Sequence, residues 1–373
     1  MKVVRVAFCC LFFVVFGQGI VLDAQTTRPP TEESQVIRVE TELVDVPLSV
    51  TDKSGRPITN LTRKNFVVYE DGKLQTVEQF TTVSAPFEVA LILDTSGSTR
   101  ADLELIRRAA RDFITSLRPG DRVSIISFRS VVRDNRSVSI PDVANKLTDD
   151  RAALQNALDR IAMGNGTPFY DSLLAVTEKV FTEAPKEEFR GRRALVAMTD
   201  GVDSSSLDGF QQARSSLLSK GISSYFINID TRDFFEDRLL GDCESTIRFS
   251  QAQITRYYAT FGKGSNIEKA SNFCQLGDFE RLAVSKKLYE IAELEMNDLA
   301  KVSGGRVFPA ADLTEARTAF RQVAAEIGTR YSLGYSPTNE TRDGKFRTIK
   351  VELKGLPSGA KVRAREGYTA PTN

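Results

Sequence analysis

The sequence predicts an α/β protein: a doubly wound, mostly parallel sheet, with a flanking β-sandwich-like unit built from the segments on either side. Three observations predict it. Short continuous apolar runs such as "EVALILD" (88–94) and "RRALVAMTD" (192–200) read as strands buried on both faces. Stretches with apolar residues at helical spacing separate them. Toward both ends of the chain, period-two alternation replaces that rhythm.

The elements follow in order. Residues 1–24 read as a secretory signal, with Lys2 and Arg5 ahead of the short apolar run "VAFCCLFFVVFG" and small residues at Gly17, Gly19 and Ala24. That run is short for a membrane span, so an uncleaved anchor is the weaker alternative. No small residue precedes Cys9 or Cys10 as a lipid-anchor site requires, and no later stretch is long and apolar enough to span a bilayer. Residues 25–35 carry Pro29-Pro30 among polar residues and read as a linker. Residues 36–86 form an N-terminal β segment, with alternation in "VIRVETELVDVPLSV" and a hairpin about Asp71-Gly72.

From residue 87 to 330 the rhythm is strand, loop, helix. Strands are expected at 88–94, 122–128, 192–200, 222–230 and 305–310. Helices are expected over 101–117, 149–162, 168–182, to about Lys220, and 312–328. Residues 231–284 break this rhythm and read as an insertion above the sheet. Residues 331–373 return to alternation, as in "KFRTIKVELKG". The first strand of such a sheet begins, and its last helix ends, on the same side. The two β segments are therefore expected to meet there.

Composition narrows the function. The 373-residue chain has no histidine, which excludes Ser-His-Asp and Cys-His catalysis and every His-ligated metal. Carboxylates and hydroxyls remain, the hard oxygen ligands suited to Mg²⁺, Ca²⁺ or Mn²⁺. A net charge of +1 gives no reason to expect nucleic acid as a partner. Arg107, Arg108 and Arg111 alternate with Asp102, Glu104 and Asp112 as a solvated helix face. With the leader removed, Cys243 and Cys274 remain. An even pair in an exported chain predicts a disulfide.

In a doubly wound sheet, ligands bind beyond the carboxyl ends of the strands. Three polar groups fall there: Asp94-x-Ser96-x-Ser98, the loop "GNGTPFYDSL" presenting Thr167, and "MTDG" ending on Asp200. Taken singly, each has a plainer explanation. Asp and Ser favour helix N-caps, and Thr167 before Pro168 is a good cap with Pro at the first helical position. Asp94-Thr95-Ser96-Gly97 also looks like half of an aspartic protease. Such enzymes are all-β, however, and need a second acid followed by a small hydroxyl-Gly turn, which Thr199-Asp200-Gly201 lacks.

In that order and context, the three segments resemble the metal-ion-dependent adhesion site of the von Willebrand factor type A (vWA) domain. "LRPGDRVSIISF" (117–128) and "GGRVF" (304–308) are similar to phrases of that family, and the resemblance covers about Phe87 to Gly328. The flanking β segments are similar to a bacterial, secreted, vWA-related group. The insertion departs from the family pattern. The resemblance implies Mg²⁺, with Mn²⁺ or Ca²⁺ as alternatives, held by Asp94, Ser96, Ser98, Thr167 and Asp200. Asp171 stands either behind these ligands or as an exposed acid in the first turn of a helix. The implied function is a non-catalytic adhesion or complex-assembly module whose metal accepts an Asp or Glu carboxylate from a protein partner. It would be exported to the periplasm, the cell surface or the medium. The alternatives are a scaffold whose site is empty or only stabilising, and an enzyme using the insertion acids Asp233, Glu236, Asp237, Asp242 and Glu244.

Overall fold

The computed structural model describes residues 43–82, 84–97, 103–133, 136–261 and 273–372. The expected signal (1–24), the linker (25–35) and the first residues of the N-terminal β segment lie outside the described residues, as does Ser98.

The described residues open with four strands: β1 (Val44–Thr51), β2 (Phe66–Glu70), β3 (Lys73–Gln75) and β4 (Gln79–Thr81). The β2–β3 hairpin turns at Asp71-Gly72, with φ of 45° and 79°. A two-residue turn with two positive φ values matches the twist of its strands, and this Asp-Gly pair tolerates both.

The α/β domain follows. Its first half contains β5 (Glu88–Leu93), α1 (Leu103–Ser116), β6 (Arg122–Arg133), β7 (Arg136–Val143), α2 (Arg151–Arg160) and α3 (Phe169–Ala175). Helix α3 runs on into one π-helical turn, Val176–Val180. Next come β8 (Arg193–Thr199), α4 (Phe210–Ser219), β9 (Ser223–Ile229), α5 (Arg232–Glu236) and α6 (Gln251–Phe261). The long α7 (Asp278–Ser303), β10 (Arg306–Ala310) and α8 (Leu313–Gly328) complete it. The chain ends in β11 (Tyr331–Tyr335), β12 (Phe346–Leu353), β13 (Lys361–Ala364) and β14 (Gly367–Thr369).

The central sheet has the order β10-β9-β8-β5-β6-β7. Every pairing is parallel except β6–β7 at one edge. Alternate residues of β5 serve opposite layers. Val89, Leu91 and Leu93 pack under α1, α2 and α8, while Ala90 and Ile92 pack under α3, α4 and α7. Burial on both faces is why this strand reads as an unbroken apolar run.

The edge hairpin differs from expectation. The strand expected at 122–128 continues to Arg133 and returns as β7. The edge strand β7 has one neighbour and a solvated side, so it needs no apolar run; β6 itself extends past its β5 partner, and there Val132 is largely exposed. The insertion boundary also moves. Helix α7 starts at Asp278, inside the expected 231–284, because its first turn is polar and carries the exposed Phe279.

The β segments that flank the α/β domain meet, as the topology requires. One sheet has the order β13-β1-β11-β4 and the other β14-β12-β2-β3, so each mixes strands from before and after the α/β domain. Val46 lies opposite Leu333, and Val68 opposite Val351. The sheets share one core, with Val46, Leu48, Leu333 and Tyr335 from the first and Phe66, Val68, Ile349 and Tyr368 from the second. At its centre the buried Glu70 carboxylate accepts from Tyr335 Oη (2.7 Å) and Tyr368 Oη (2.9 Å), with the Arg347 guanidinium 3.5 Å away.

Candidate functional site

Strand β5 ends on Asp94, and the neighbouring strand fixes its place. The Asp94 N–H donates to Met198 O (3.0 Å). Asp94 Oδ1 accepts from the Ser96 N–H (2.9 Å), and Oδ2 accepts from Thr199 Oγ1 (2.7 Å). Thr199 Oγ1 in turn accepts from the Gly201 N–H (2.9 Å). One hydroxyl therefore ties the ends of β5 and β8 together.

Asp200 follows Thr199. Its Oδ1 accepts from the Val202 N–H (2.9 Å), and its Oδ2 from Thr231 Oγ1 (2.5 Å), just beyond the end of β9. Thr231 also bonds Tyr289 Oη of α7 (2.9 Å). The turn after the acid requires Gly201: its φ is +72°, and a Cβ there would lie 2.9 Å from Met296 of α7.

The Thr167 loop closes from the other side. The Thr167 N–H donates to Ser204 Oγ (2.8 Å), and Thr167 O accepts from the Ser204 N–H (2.9 Å). The Gly164 N–H donates to Thr95 O (2.8 Å), so this loop also touches the segment after β5. Asp94, Ser96, Thr167 and Asp200 are all buried at the carboxyl edge of the sheet, on three loops bonded to one another.

Helix capping does not explain these residues. Residues 95 and 96 after Asp94 are not helical, and α4 is preceded by Gly209, so neither Asp94 nor Asp200 caps the next helix. The expected Thr167 cap is corrected as well. Pro168 occupies the cap position of α3, and the Phe169 N–H donates to Asp203 Oδ1 (2.9 Å) on a different loop. A proline there has no N–H, and its fixed φ lets the chain enter the helix while Asp203 satisfies the first free donor.

Asp171 does a third job that neither sequence reading named. Its carboxylate accepts from the Leu207 and Asp208 N–H groups (3.1 Å each) and anchors the loop that follows Asp200. The insertion acids behave as solvated surface residues, with Asp233, Asp237, Asp242 and Glu244 exposed and Glu236 half-buried.

The electrostatics set Asp94 and Asp200 against each other. Burial pushes the Asp94 carboxyl above the usual range. Asp200 is pushed up to about 7, first by burial and then by repulsion from Asp94, against the Thr231 hydrogen bond. Two buried carboxylates that repel, beside serine and threonine hydroxyls, form a set of hard oxygen donors; a divalent cation relieves both the repulsion and the desolvation. Among the described residues no group of three or more Asp, Glu or Cys side chains could hold a metal. Any ion here would therefore rest on two acids and neutral hydroxyls. The residues present fit a small hard cation.

Sequence reasoning missed the groups that steady this edge. Asp203 is fully buried, accepts from Ser206 Oγ, and pairs with Arg256 Nη2 of α6 (3.0 Å). Arg256 also lies over the Tyr170 ring (4.8 Å), and Tyr170 Oη donates to Glu295 of α7 (2.6 Å). The one local signal was the run Asp203-Ser204-Ser205-Ser206 directly after "MTDGV". Thr231, Arg256 and Tyr289 are 31 or more residues from Asp200 and carry no motif.

The insertion itself has a small core. Leu239, Phe249, Ile254, Phe273 and Leu276 pack against Val284, Leu288 and Ala292 of α7 and against Val202. Cys243 and Cys274 are joined, with Cα atoms 5.3 Å apart. Among the described residues, no helix is long and apolar enough to cross a membrane.

Residues 88–253 match the family model of the von Willebrand factor type A domain. No curated protein matches the chain. Among solved structures, the conserved hypothetical protein BatB from Bacteroides thetaiotaomicron is similar at 17% identity and a TM-score of 0.40, covering 65% of this chain and 98% of its own. A von Willebrand factor type A protein from Catenulispora acidiphila is similar at 12% identity and a TM-score of 0.42, covering 90% of this chain and 75% of its own. Proximal thread matrix protein 1 from the mussel byssus is similar at 12% identity and a TM-score of 0.42, covering 73% of this chain and 51% of its own. The matched segment runs from β5 into α6 and contains Asp94, Thr167 and Asp200. The α/β domain of this chain therefore carries, over residues 88–253, a match to the von Willebrand factor type A domain.

Proposed function

We propose that the chain is a non-catalytic, metal-dependent protein-binding module, exported from a bacterial cell, that takes a carboxylate from its partner. Asp94, Ser96, Ser98, Thr167 and Asp200 hold Mg²⁺, or Mn²⁺ or Ca²⁺ in its place. With only two anionic ligands the ion stays electron-poor and attracts an Asp or Glu side chain from another protein. The observation that carries this reading is the buried, mutually repelling pair Asp94 and Asp200 among hydroxyls at the carboxyl edge of the sheet. The vWA domain is a fold commonly used for protein–protein contact, which supports the class of function. Export is supported by the signal-like residues 1–24 and by the Cys243–Cys274 bridge.

A proton-sharing acid pair of the protease kind is disfavoured by the hydrogen bonds. All four carboxylate oxygens of Asp94 and Asp200 accept from N–H or hydroxyl donors, which oppose the upward push of burial on each acid.

The test is capture from the native envelope, using the wild-type chain and Asp94→Ala, each with Mg²⁺ or with chelator. The reading predicts a partner retained by the wild type in Mg²⁺ and lost on chelation and in Asp94→Ala. Retention of the same partner under all four conditions would contradict it and leave a scaffold whose metal only stabilises the fold.

A further inference from the structure

We propose that Arg192 and Arg330 bind a small monovalent anion, chloride in an extracellular setting, in a small cavity at the end of the sheet opposite the candidate metal edge. The cavity has a volume of about 10 Å³, room for one small group, and is lined by Phe87, Arg192, Arg193, Ser223, Ile327 and Arg330. Both arginines are buried, at 5% and 4% exposure. Arg192 donates to Pro86 O (2.9 Å), Arg330 O (2.6 Å) and Thr82 O (3.4 Å). Arg330 donates to Gly304 O (2.7 Å) and to Tyr225 Oη. Every one of these acceptors is neutral.

The charges do not balance. Among the described residues, neither Arg192 nor Arg330 forms an ion pair. The nearby acids pair with other arginines, Glu326 with Arg363, although Asp121 still acts on Arg192 at longer range. Glu88 pairs with Arg193 (2.9 Å) and Arg122 (2.7 Å). Asp121 accepts from the Phe87 and Arg118 N–H groups and lies 3.6 Å from the Arg118 guanidinium. Burial and the neighbouring Arg118 and Arg330 bring Arg192 down to about 10, which leaves it charged at neutral pH. A buried guanidinium does not shed its proton, so its charge calls for a counter-ion.

The hydrogen-bond inventory points the same way. Arg192 Nη2, Arg330 Nε and Nη2, and Ser223 Oγ are buried without a partner. All four atoms belong to residues lining this one cavity. Three N–H groups and a hydroxyl offer more donors than a water molecule can accept, whereas a halide accepts them all. Phosphate and sulfate are too large for the space. The acceptors Thr82, Pro86 and Arg330 lie on the two connections between the sandwich and the α/β domain, so an anion here stiffens that joint.

Melting of the full chain at constant ionic strength tests this, with sodium gluconate replaced stepwise by sodium chloride or bromide. Tm is expected to rise, by about 2 °C for each tenfold of halide above its dissociation constant, and Arg330→Met is expected to abolish the dependence. Crystals of the unaltered chain soaked in bromide are expected to show an anomalous peak beside both guanidinium groups; this arm stands even if Arg330→Met does not fold. Equal Tm values in gluconate and chloride, or a bromide map with no peak in this cavity, would overturn the proposal.

Discussion

Glu70→Ala is expected to lose about 3–5 kcal/mol of stability, the usual cost of removing one partner from a buried ion pair. Glu70 comes from the segment before the α/β domain. Its partners Tyr335, Arg347 and Tyr368 come from the segment after it. The substitution leaves two phenolic hydroxyls without their acceptor and takes the nearer carboxylate from the buried Arg347 guanidinium, which keeps Asn339 O, Thr341 O and the Asp343 carboxylate at 3.9 Å. Tyr335→Phe and Tyr368→Phe, which each remove a single bond, are expected to cost about 1 kcal/mol apiece. Chemical denaturation of the purified chain measures all three. A Glu70→Ala loss no larger than that of either tyrosine variant would show that the two flanking segments do not share a core in solution.

The second large effect lies in the insertion. The Cys243–Cys274 bridge spans 31 residues of sequence, and closing such a loop stabilises by about 3–4 kcal/mol on the chain-entropy estimate. The double variant Cys243→Ser/Cys274→Ser is expected to lose most of that, with the loss concentrated in α6. Hydrogen exchange locates it: amides of 251–261 should exchange faster while those of β5 and β8 stay protected. Because Arg256 of α6 holds Asp203, the Asp200 loop should loosen with it. Unchanged exchange in α6 would show that the small core of Leu239, Phe249 and Ile254 holds the insertion without the bridge.

Much of the fold was legible in the sequence, for a physical reason. A strand buried on both faces must be apolar at every position, and β5 and β8 are. An Asp-Gly pair between alternating strands accepts the positive φ values of a tight hairpin, and residues 71–72 do. Even the meeting of the two flanking segments followed from topology. The edge strand β7 was not legible, because solvent on one side removes the requirement for apolar residues. Nor was the start of α7, whose first turn projects from the core and presents Asp278, Phe279 and Glu280 to solvent.

The candidate site was legible only where it is local. Asp94 and Asp200 stand at the ends of apolar runs, and Thr167 follows a glycine-rich loop. The groups that hold them are set by the packing of distant elements. Thr231 reaches Asp200 because β9 ends beside β8, and Asp203 caps α3 because two loops cross above the sheet. No spacing in the chain encodes either contact.

The most direct measurement is equilibrium dialysis of the metal-free full chain against Mg²⁺, with metal content read on the retained protein. The account predicts a single ion per wild-type chain, none on Asp94→Ala, and undiminished binding on Asp171→Asn, whose carboxylate is engaged by the Leu207 and Asp208 N–H groups. Equal uptake by the wild type and Asp94→Ala, or no uptake by the wild type, would contradict it.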